Sequence, residues 1–470
     1  MLQPSRRDAL KLLGGGAAAL VMMPSMSGAK EGAGTSFKLV AQPVQHKLHP
    51  APDAKESTLW SYNGQVAAPT LRIKQGQRVT IEFTNALPEP TSIHWHGLRI
   101  ANEMDGVSGL TQDPVPPGGR FTYEFVAPDA GTYWYHAHHK SWEQVARGLY
   151  GGLIVEPADG SILPEAQDHL LIIDDWRLDG EGKFDAASLG APMDWSHGGR
   201  MGNWLTVNGQ SLPTISLPKN APTRLRLVNA SNSRILDIDP ARFGGKILAF
   251  DGQALPDASL ELGYTPLLLG PAQRVDLLVE PEENFVLEEL SQQPFAFCSF
   301  EVRKPAQEVA AFTVPKPNKL PLPATDDRFK FDLRMTGGAM GQLDNIYYQG
   351  EKLDRGGFQR TKQFWAFNNV ANLAEEPLFS VKRGQTVELN VSNITAFMHA
   401  MHVHGHHFLI EDRDGGGVEQ SPLWRDTFLV GAEQSTRIAF VADNPGKWLF
   451  HCHMLEHAAS GMNAWFEVTD

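Results

Sequence analysis

Three segments of the chain repeat one pattern, in which a tight turn leads into a strand of alternating residues that ends in an asparagine. They span residues 73–85, 217–229 and 381–393. The alternation is typical of strands in a β-sandwich, and the terminal asparagines lie 144 and 164 residues apart. The repeat therefore predicts an all-β chain of three consecutive β-sandwich domains, at residues 37–160, 161–320 and 321–470.

A second set of alternating strands recurs in the same register, at residues 121–126, 274–279 and 437–441. In the first and third copies the chain then reaches His-Ala-His at 136–138 and His-Cys-His at 451–453. Ala137 occupies the position that Cys452 has in the third copy, and the middle copy has neither the histidines nor the cysteine. The end domains are therefore predicted to share a site to which only the third contributes sulfur.

Composition agrees with this organisation. A prior of about 150 residues per domain gives about three domains for 470 residues. The 44 glycines and 32 prolines favour many short strands joined by turns. The formal charge is −13, and the sequence shows no basic stripe or stacking motif, which argues against a nucleic-acid partner. An acidic surface tolerates cations and neutral organic molecules instead.

The N-terminus has the pattern of an export signal. Arg6 and Arg7 form a twin-arginine pair, a weakly apolar stretch follows at 12–23, and small residues at 27–29 suit cleavage. The stretch is too short and too rich in glycine to span a bilayer, and no other segment could do so. Residues 1–29 are therefore predicted to be a signal peptide read by the twin-arginine export machinery, which places the mature protein in the periplasm or otherwise outside the cytoplasm.

Four His-x-His pairs dominate the chemistry of the chain. Side chains alternate in an extended segment, so each pair can direct two imidazoles into one space. Each end domain supplies two pairs, and a cluster of three metal ions would use the eight imidazoles as three, three and two. The pairs are His94 and His96, His136 and His138, His402 and His404, and His451 and His453.

The remaining ligand-type residues near these pairs are His399, Cys452, His457 and Met462. A thiolate, two imidazoles and a weak axial thioether suit a blue copper centre, whereas zinc prefers more thiolates or a closed set of histidines. A disulfide between Cys452 and Cys298 is the alternative and would suit an exported protein, but it would leave the histidine cluster without its sulfur. We expect Cys298 to be a small buried apolar residue.

Cys452 can connect two metal sites because of its position. If residues 449–454 form a strand, Cys452 projects from one face while His451 and His453 project from the other. An electron could then pass between the two sites along a few bonds. The seven lone histidines are interpreted as structural or exposed: His46, His49, His139, His169, His197, His406 and His407.

At these motifs, from about residue 37 to the C-terminus, the sequence resembles the multicopper oxidase family, the laccase-like enzymes. The resemblance implies cupredoxin-like Greek-key domains and four copper ions: one of type 1, one of type 2 and two of type 3. By that resemblance His399, Cys452, His457 and Met462 hold the type 1 copper, and His94 and His402 the type 2 copper. The type 3 coppers would have His96, His136 and His453 on one ion and His138, His404 and His451 on the other.

The resemblance also assigns proton chemistry. Asp105, before Gly106, matches the family carboxylate that supports proton delivery, although an Asp-Gly turn is an alternative interpretation. Ala458 departs from many bacterial relatives, which have a glutamate directly after the last histidine ligand. Glu456 precedes His457 instead and is expected to point elsewhere, so the sequence does not identify a second proton donor.

The resemblance implies coupled oxidation of a small reductant and reduction of O₂ to water. The reductant would be a phenol, an aromatic amine or Cu(I), and no oligomer is required to assemble the cluster. The alternatives are a periplasmic cuprous oxidase for copper tolerance and a copper-free exported scaffold. A nitrite reductase of the two-domain type is disfavoured, because its sites are not linked by this His-Cys-His arrangement within three domains. Candidate substrate loops are residues 193–204, 335–348 and 424–426.

Overall fold

The computed structural model describes residues 34–160, 162–256, 267–291, 293–306, 308–341, 343, 345–414 and 423–470. Residues from Gly34 to Asp470 belong to one compact unit. The predicted signal peptide, residues 1–29, lies outside the described residues. No helix in the ranges just given is long and apolar enough to cross a membrane.

Strands hold 46% of the residues and helices 8%, so the predicted all-β class is confirmed. The first strands are β1 (Thr35–His46), β2 (Ser57–Tyr62), β3 (Ala68–Lys74), β4 (Arg78–Asn85), β5 (Ile93–His96), β6 (Arg120–Val126), β7 (Gly131–Ala137) and β8 (Tyr150–Glu156). Next come β9 (Asp168–Trp176), β10 (Trp204–Val207), β11 (Thr214–Pro218), β12 (Thr223–Asn229), β13 (Leu236–Ile238), β14 (Lys246–Phe250), β15 (Gln253–Ala254), β16 (Leu267–Leu269), β17 (Arg274–Val279), β18 (Phe285–Glu289) and β19 (Phe295–Arg303).

The last strands are β20 (Phe329–Gly337), β21 (Tyr347–Tyr348), β22 (Glu351–Lys352), β23 (Trp365–Phe367), β24 (Ser380–Lys382), β25 (Thr386–Asn393), β26 (His399–Val403), β27 (Phe408–Arg413), β28 (Trp424–Arg425), β29 (Thr427–Val430), β30 (Ser435–Val441), β31 (Gly446–Cys452) and β32 (Asn463–Thr469). The helices are α1 (Ser141–Gln144), α2 (Pro192–Ser196), α3 (Arg355–Thr361) and α4 (Leu455–Ala459), and 3₁₀ turns lie at Asn102–Met104, Glu165–Gln167, Ala186–Ser188 and Pro240–Phe243.

The repeated strands occupy equivalent places in three sheets. Strands β4, β12 and β25 each pair in parallel with the first strand of their copy, namely β1, β9 and β20. On the other side each pairs antiparallel with the second repeated strand, namely β6, β17 and β30. The predicted repeat is thus present as a structural repeat.

The asparagine that ends each repeated strand has the same role in all three copies. The side-chain oxygens of Asn85, Asn229 and Asn393 accept hydrogen bonds from the backbone N–H two residues later, at 2.9, 3.1 and 2.9 Å. Their amide nitrogens each donate to backbone carbonyls of adjoining loops. A buried asparagine therefore satisfies the backbone where each strand turns away from its sheet.

The three largest hydrophobic cores follow the three sequence copies. One core draws its buried residues from positions 39–155, another from 171–300 together with Leu423, and the third from 333–468. The division at residues 160 and 320 stays a prediction. Both cysteines are free thiols, so the Cys298–Cys452 disulfide does not form, and Cys298 is buried in the middle core, as expected.

A second sheet in each end copy carries the histidine pairs. Its strand order is β3-β8-β7-β5 in the first copy and β24-β32-β31-β26-β29 in the third. Strand β31 ends at Cys452, two residues before the end predicted from the sequence. The chain then bends into α4, which begins at Leu455 and carries His457 back toward Cys452.

Candidate metal centre

The four His-x-His pairs meet where the first and third copies face each other. In the β5–β7 pairing His94 lies opposite His136, and in the β26–β31 pairing His402 lies opposite His451. Across the junction the ring of His96 stacks on that of His402, with the centroids 3.7 Å apart. Residues from opposite ends of the chain thus share one buried space.

Backbone carbonyls set the tautomers of the two predicted type 2 ligands. His94 Nδ1 donates to the carbonyl of Asp105 at 2.8 Å, and His402 Nδ1 donates to the carbonyl of Asp426 at 2.8 Å. Each Nε2 therefore carries a lone pair, and within the described part of the chain both Nε2 atoms are buried without a hydrogen-bond partner. Two orphaned lone pairs of this kind fit a cation.

The predicted type 3 ligands show lone pairs that face each other. His404 Nδ1 donates to Asp105 Oδ2 and His451 Nδ1 donates to the Cys452 carbonyl, each at 2.9 Å. Their Nε2 atoms therefore both carry lone pairs, and these atoms are only 3.1 Å apart. Neither nitrogen has a proton to share, so the pair fits a metal ion that would bind both lone pairs.

The other faces of the cluster are similar. His138, His404 and His451 place one ligand atom each within 4.8 Å of the others. His453 Nε2 lies 3.4 Å from His136 Nε2, and the ring centroids of His96 and His453 are 5.0 Å apart. The geometry gathers all eight predicted ligands of the cluster, and their division among individual ions stays a prediction.

The predicted type 1 ligands form a separate triangle. Cys452 Sγ lies 3.7 Å from His399 Nδ1 and 3.8 Å from His457 Nδ1, and the two nitrogens are 3.0 Å apart. A point equidistant from the three atoms lies about 2 Å from each, close to the length of a transition-metal bond to imidazole or thiolate. The donor set and its dimensions both fit copper.

Hydrogen bonds on the far side of each imidazole orient this triangle. His399 Nε2 donates to Thr395 Oγ1 at 2.8 Å, which leaves the Nδ1 lone pair directed inward. Met462 is fully buried in the core of the third copy, and its backbone bonds to both Cys452 and His457. The backbone of Met462 therefore lies beside both ligands, and the axial role of its thioether stays a prediction.

Burial controls the protonation of these groups. It lowers the pKa of His451 and of His457 to about 4, so both imidazoles are neutral at physiological pH. It raises the pKa of the Cys452 thiol to about 12 when no metal is bound. Copper binding must therefore displace a proton from this sulfur, and the bound metal then supplies the positive charge that stabilises the thiolate.

Asp105 lies behind two ligands and does not face the triangle of Cys452. Its Oδ1 is 3.2 Å from His94 Nδ1 and its Oδ2 is 2.9 Å from His404 Nδ1. A side chain at Gly106 would place its Cβ 1.8 Å from the Ile93 carbonyl oxygen, so glycine is required for this close approach. Asp105 thus joins ligands of the two end copies, and its role in proton delivery stays a prediction.

Asp426 is a functional residue that the sequence assigned to a candidate substrate loop. The structure places His96 Nε2 3.3 Å from Asp426 Oδ1 and 3.1 Å from Thr427 Oγ1, so His96 donates from Nε2 toward these two acceptors and directs Nδ1 into the cluster. That Nδ1 has no hydrogen-bond partner among the described residues. The Asp426 carboxylate also accepts two hydrogen bonds from the Arg274 guanidinium, at 2.8 and 2.6 Å. In the sequence, the only feature that could have indicated this role is that residue 426 is a carboxylate.

Glu456 points away from the cluster, as expected. Its carboxylate accepts hydrogen bonds from Asn232 Nδ2 at 2.7 Å and from the Arg200 N–H at 3.2 Å. Burial raises its pKa to about 7. Ala458, at the position after the last histidine ligand, lines a cavity of about 260 Å³ that reaches His138 and His451.

The other two candidate loops both lie on the side of the type 1 triangle. Residues 193–204 lie over the type 1 triangle, where the carbonyl of His197 accepts a hydrogen bond from His457 Nε2 at 2.5 Å. In the 335–348 loop, the Ala339 N–H donates to the Ser196 carbonyl at 2.7 Å. The contact with His457 uses the backbone carbonyl of His197, so the interpretation of its imidazole as structural or exposed stays a prediction.

Comparison with known proteins agrees with the site. Family models described as multicopper oxidase match residues 44–160 and 349–470. A crystal structure of a multi-copper oxidase from Pseudomonas Thermotolerans is 30% identical, covers 92% of this chain and 99% of its own, and superposes with a TM-score of 0.79. The chain belongs to the multicopper oxidase family.

Two further multicopper oxidases show how far the likeness extends. Multicopper oxidase MmcO of Mycobacterium tuberculosis strain ATCC 25618 / H37Rv is 29% identical over 437 residues, which is 86% of this chain and 82% of that protein. The structure of a Campylobacter jejuni multicopper oxidase, described as a metallo-oxidase, is 26% identical, covers 97% of this chain and 95% of its own, and has a TM-score of 0.74. As a multicopper oxidase, the protein is a copper-dependent oxidoreductase that uses O₂.

Proposed function

We propose that this multicopper oxidase performs a laccase-type reaction with four coppers. Four one-electron oxidations of a small reductant at the type 1 site are coupled to the reduction of O₂ to two waters at the three-copper cluster. The single observation that carries the proposal is the end of β31. Cys452 Sγ lies in the triangle with His399 and His457, while the adjacent His451 lies in the cluster.

The chain supplies the framework for this coupling. Bound copper would supply the one-electron redox chemistry and the binding of O₂. Cys452 is joined through its own backbone to two cluster imidazoles, which gives a short covalent path between the sites. Asp105 holds His94 and His404 by their Nδ1 atoms and offers a carboxylate for proton transfer. The apolar core around Met462 and Cys452 keeps water from the triangle.

The test is aerobic oxidation of a phenol by copper-loaded protein, followed with an oxygen electrode and a peroxide assay. We expect one O₂ consumed for four electrons delivered and no accumulation of peroxide. Metal analysis should give four coppers per chain. Absence of O₂ uptake with phenols, aromatic amines and Cu(I) alike would contradict the proposal.

Oxidation of metal ions is the second candidate, and a specific observation favours it. His457, the outer ligand of the triangle, is 0% exposed, and its Nε2 is already bonded to the His197 carbonyl. A bulky aromatic donor therefore has no exposed imidazole edge to contact in this structure. Steady-state kcat/KM for Cu(I) against that for a phenol decides between the two donors.

We also propose export by the twin-arginine machinery to the periplasm. The support is the Arg6-Arg7 pair with its apolar stretch and the small residues before position 30. Fractionation of cells that express the full chain should place the processed protein outside the cytoplasm. A lysine replacement at both arginines should retain the unprocessed chain in the cytoplasm, and export of that variant would contradict the proposal.

A further inference from the structure

The indole of Trp365 packs against both imidazoles of the type 1 triangle. Its ring centroid lies 4.3 Å from that of His457, at an interplanar angle of 37°, and 5.0 Å from that of His399, at 82°. Trp365 belongs to β23 and is fully buried in the core of the third copy. A close-packed ring that is tilted against one imidazole and perpendicular to the other restricts the rotation of both.

The indole N–H of Trp365 holds a segment of the middle copy. Trp365 Nε1 donates to the Trp195 carbonyl at 2.7 Å, and Ser460 Oγ donates to the same oxygen at 3.0 Å. Two residues further along the chain, the His197 carbonyl accepts the hydrogen bond from His457 Nε2 at 2.5 Å. Trp365 therefore fixes the segment that carries the hydrogen-bond acceptor of His457.

Both contacts of Trp365 act on the same ligand. The ring restricts the orientation of His457, and the indole N–H fixes the position of the carbonyl that receives the Nε2 proton. A hydrogen bond from the outer nitrogen of a ligating imidazole makes the inner nitrogen more basic. A more basic ligand stabilises Cu(II) more than Cu(I), because the oxidised ion has the larger charge. The geometry of this hydrogen bond therefore affects the reduction potential of the type 1 site.

We propose that Trp365 is a positioning residue that holds the reduction potential of the type 1 copper down through His457. The inference rests on the proposed function, because it requires copper in the triangle. The indole keeps His457 Nε2 directed at the His197 carbonyl, which favours the oxidised ion. A lower potential at the type 1 site restricts the donors to those that give up an electron readily. Trp365 thereby contributes to the choice of donor without contacting it.

Trp365→Phe tests the proposal, because it keeps an aromatic ring beside His457 and removes the indole N–H. A redox titration of the copper-loaded protein, followed at the blue absorption, measures the type 1 potential. We expect the equilibrium between oxidised and reduced copper to shift about tenfold toward Cu(I), which raises the potential of a one-electron couple by about 59 mV. A potential equal to that of the wild type, or below it, would overturn the proposal.

Trp448→Phe is the matched control. Trp448 is also fully buried in the core of the third copy, and its Nε1 donates to the Asn444 carbonyl at 2.7 Å. Its histidine ring contact within the described part of the chain is with His406, which is not a predicted ligand. Each variant removes an indole hydrogen bond of the same length and buries a smaller ring, so both should be less stable in urea. Only Trp365→Phe should change the potential, and an equal rise in both variants would refute a specific role of Trp365.

Ser460→Ala provides a test that does not require a smaller ring in the core. It removes the second donor to the Trp195 carbonyl, so the potential should rise in the same direction as in Trp365→Phe. If Trp365→Phe does not fold, this variant decides: a raised potential supports the anchoring of the segment, and an unchanged or lowered one overturns it. Absence of blue absorption from the copper-loaded wild type would instead contradict the proposed function.

Discussion

Replacing Asp426 by asparagine separates fold stability from metal binding. The carboxylate is fully buried and bonds to the Arg274 guanidinium on one side and to His96 Nε2 on the other. Asp426→Asn removes the charge that balances Arg274 and leaves Asp251 Oδ1, 3.6 Å from Nη1, as the remaining carboxylate. The asparagine amide can also donate to His96 Nε2, which favours the tautomer with its proton on Nδ1, the atom that faces the cluster.

Two effects of known size follow. Breaking a buried ion pair costs about 3 kcal/mol of unfolding free energy. Loss of an outer partner that orients a metal ligand lowers metal affinity by about 10-fold to 100-fold. Urea denaturation of the copper-free protein measures the first effect. Copper retained after dialysis against a graded chelator measures the second.

Asp251→Asn is the matched control for this prediction. Asp251 is also fully buried and accepts from the Arg274 backbone N–H at 2.9 Å, but among the described residues it makes no hydrogen bond to His96. Both variants should be less stable, and only Asp426→Asn should lose copper. Copper retention by Asp426→Asn equal to that of the control would refute a role of Asp426 in orienting His96, whose Nε2 also lies 3.1 Å from Thr427 Oγ1.

Two further predictions concern the local structure around the ligands. Gly106→Ala should destabilise the protein by about 3 kcal/mol or prevent folding, because the new Cβ would lie 1.8 Å from the Ile93 carbonyl oxygen. Chemical denaturation measures this loss, and a variant as stable as the wild type would contradict the prediction. Burial holds the pKa of His451 and His457 near 4, below the 6.5 of an unfolded imidazole, so the unfolded copper-free chain binds more protons and stability falls as the pH drops from about 6.5 to about 4. At about pH 5 each of the two imidazoles should lower the free energy of unfolding by about 2 kcal/mol relative to neutral pH. The urea midpoint of His457→Gln should therefore depend less on pH than that of the wild type, and an unchanged dependence would contradict the burial argument.

Local patterns in the sequence predicted the parts of the fold that recur. Alternation and the terminal asparagine located β4, β12 and β25, because each strand needs the same side chain to satisfy the backbone where it ends. The His-x-His pairs located the metal centre, because the side-chain alternation of an extended segment is a local property. Only the end of β31 was misplaced, since the turn into α4 depends on the position of His457.

Contacts between distant parts of the chain were beyond the sequence patterns. Asp426 acquires its role from Arg274 and His96, which lie in the other two copies. The position of α2 over His457 depends on the hydrogen bond from Trp365 Nε1 to the Trp195 carbonyl, and no sequence motif marks that contact. These features require tertiary geometry because each partner is ordinary when considered alone.

The most direct test of the account is the optical spectrum and O₂ uptake of copper-loaded Cys452→Ser. The account predicts loss of both the blue absorption and O₂ consumption, while the histidine cluster retains its three coppers in metal analysis. Blue absorption or O₂ consumption at the wild-type level would contradict the claim that the Cys452 sulfur joins the electron-accepting site to the cluster.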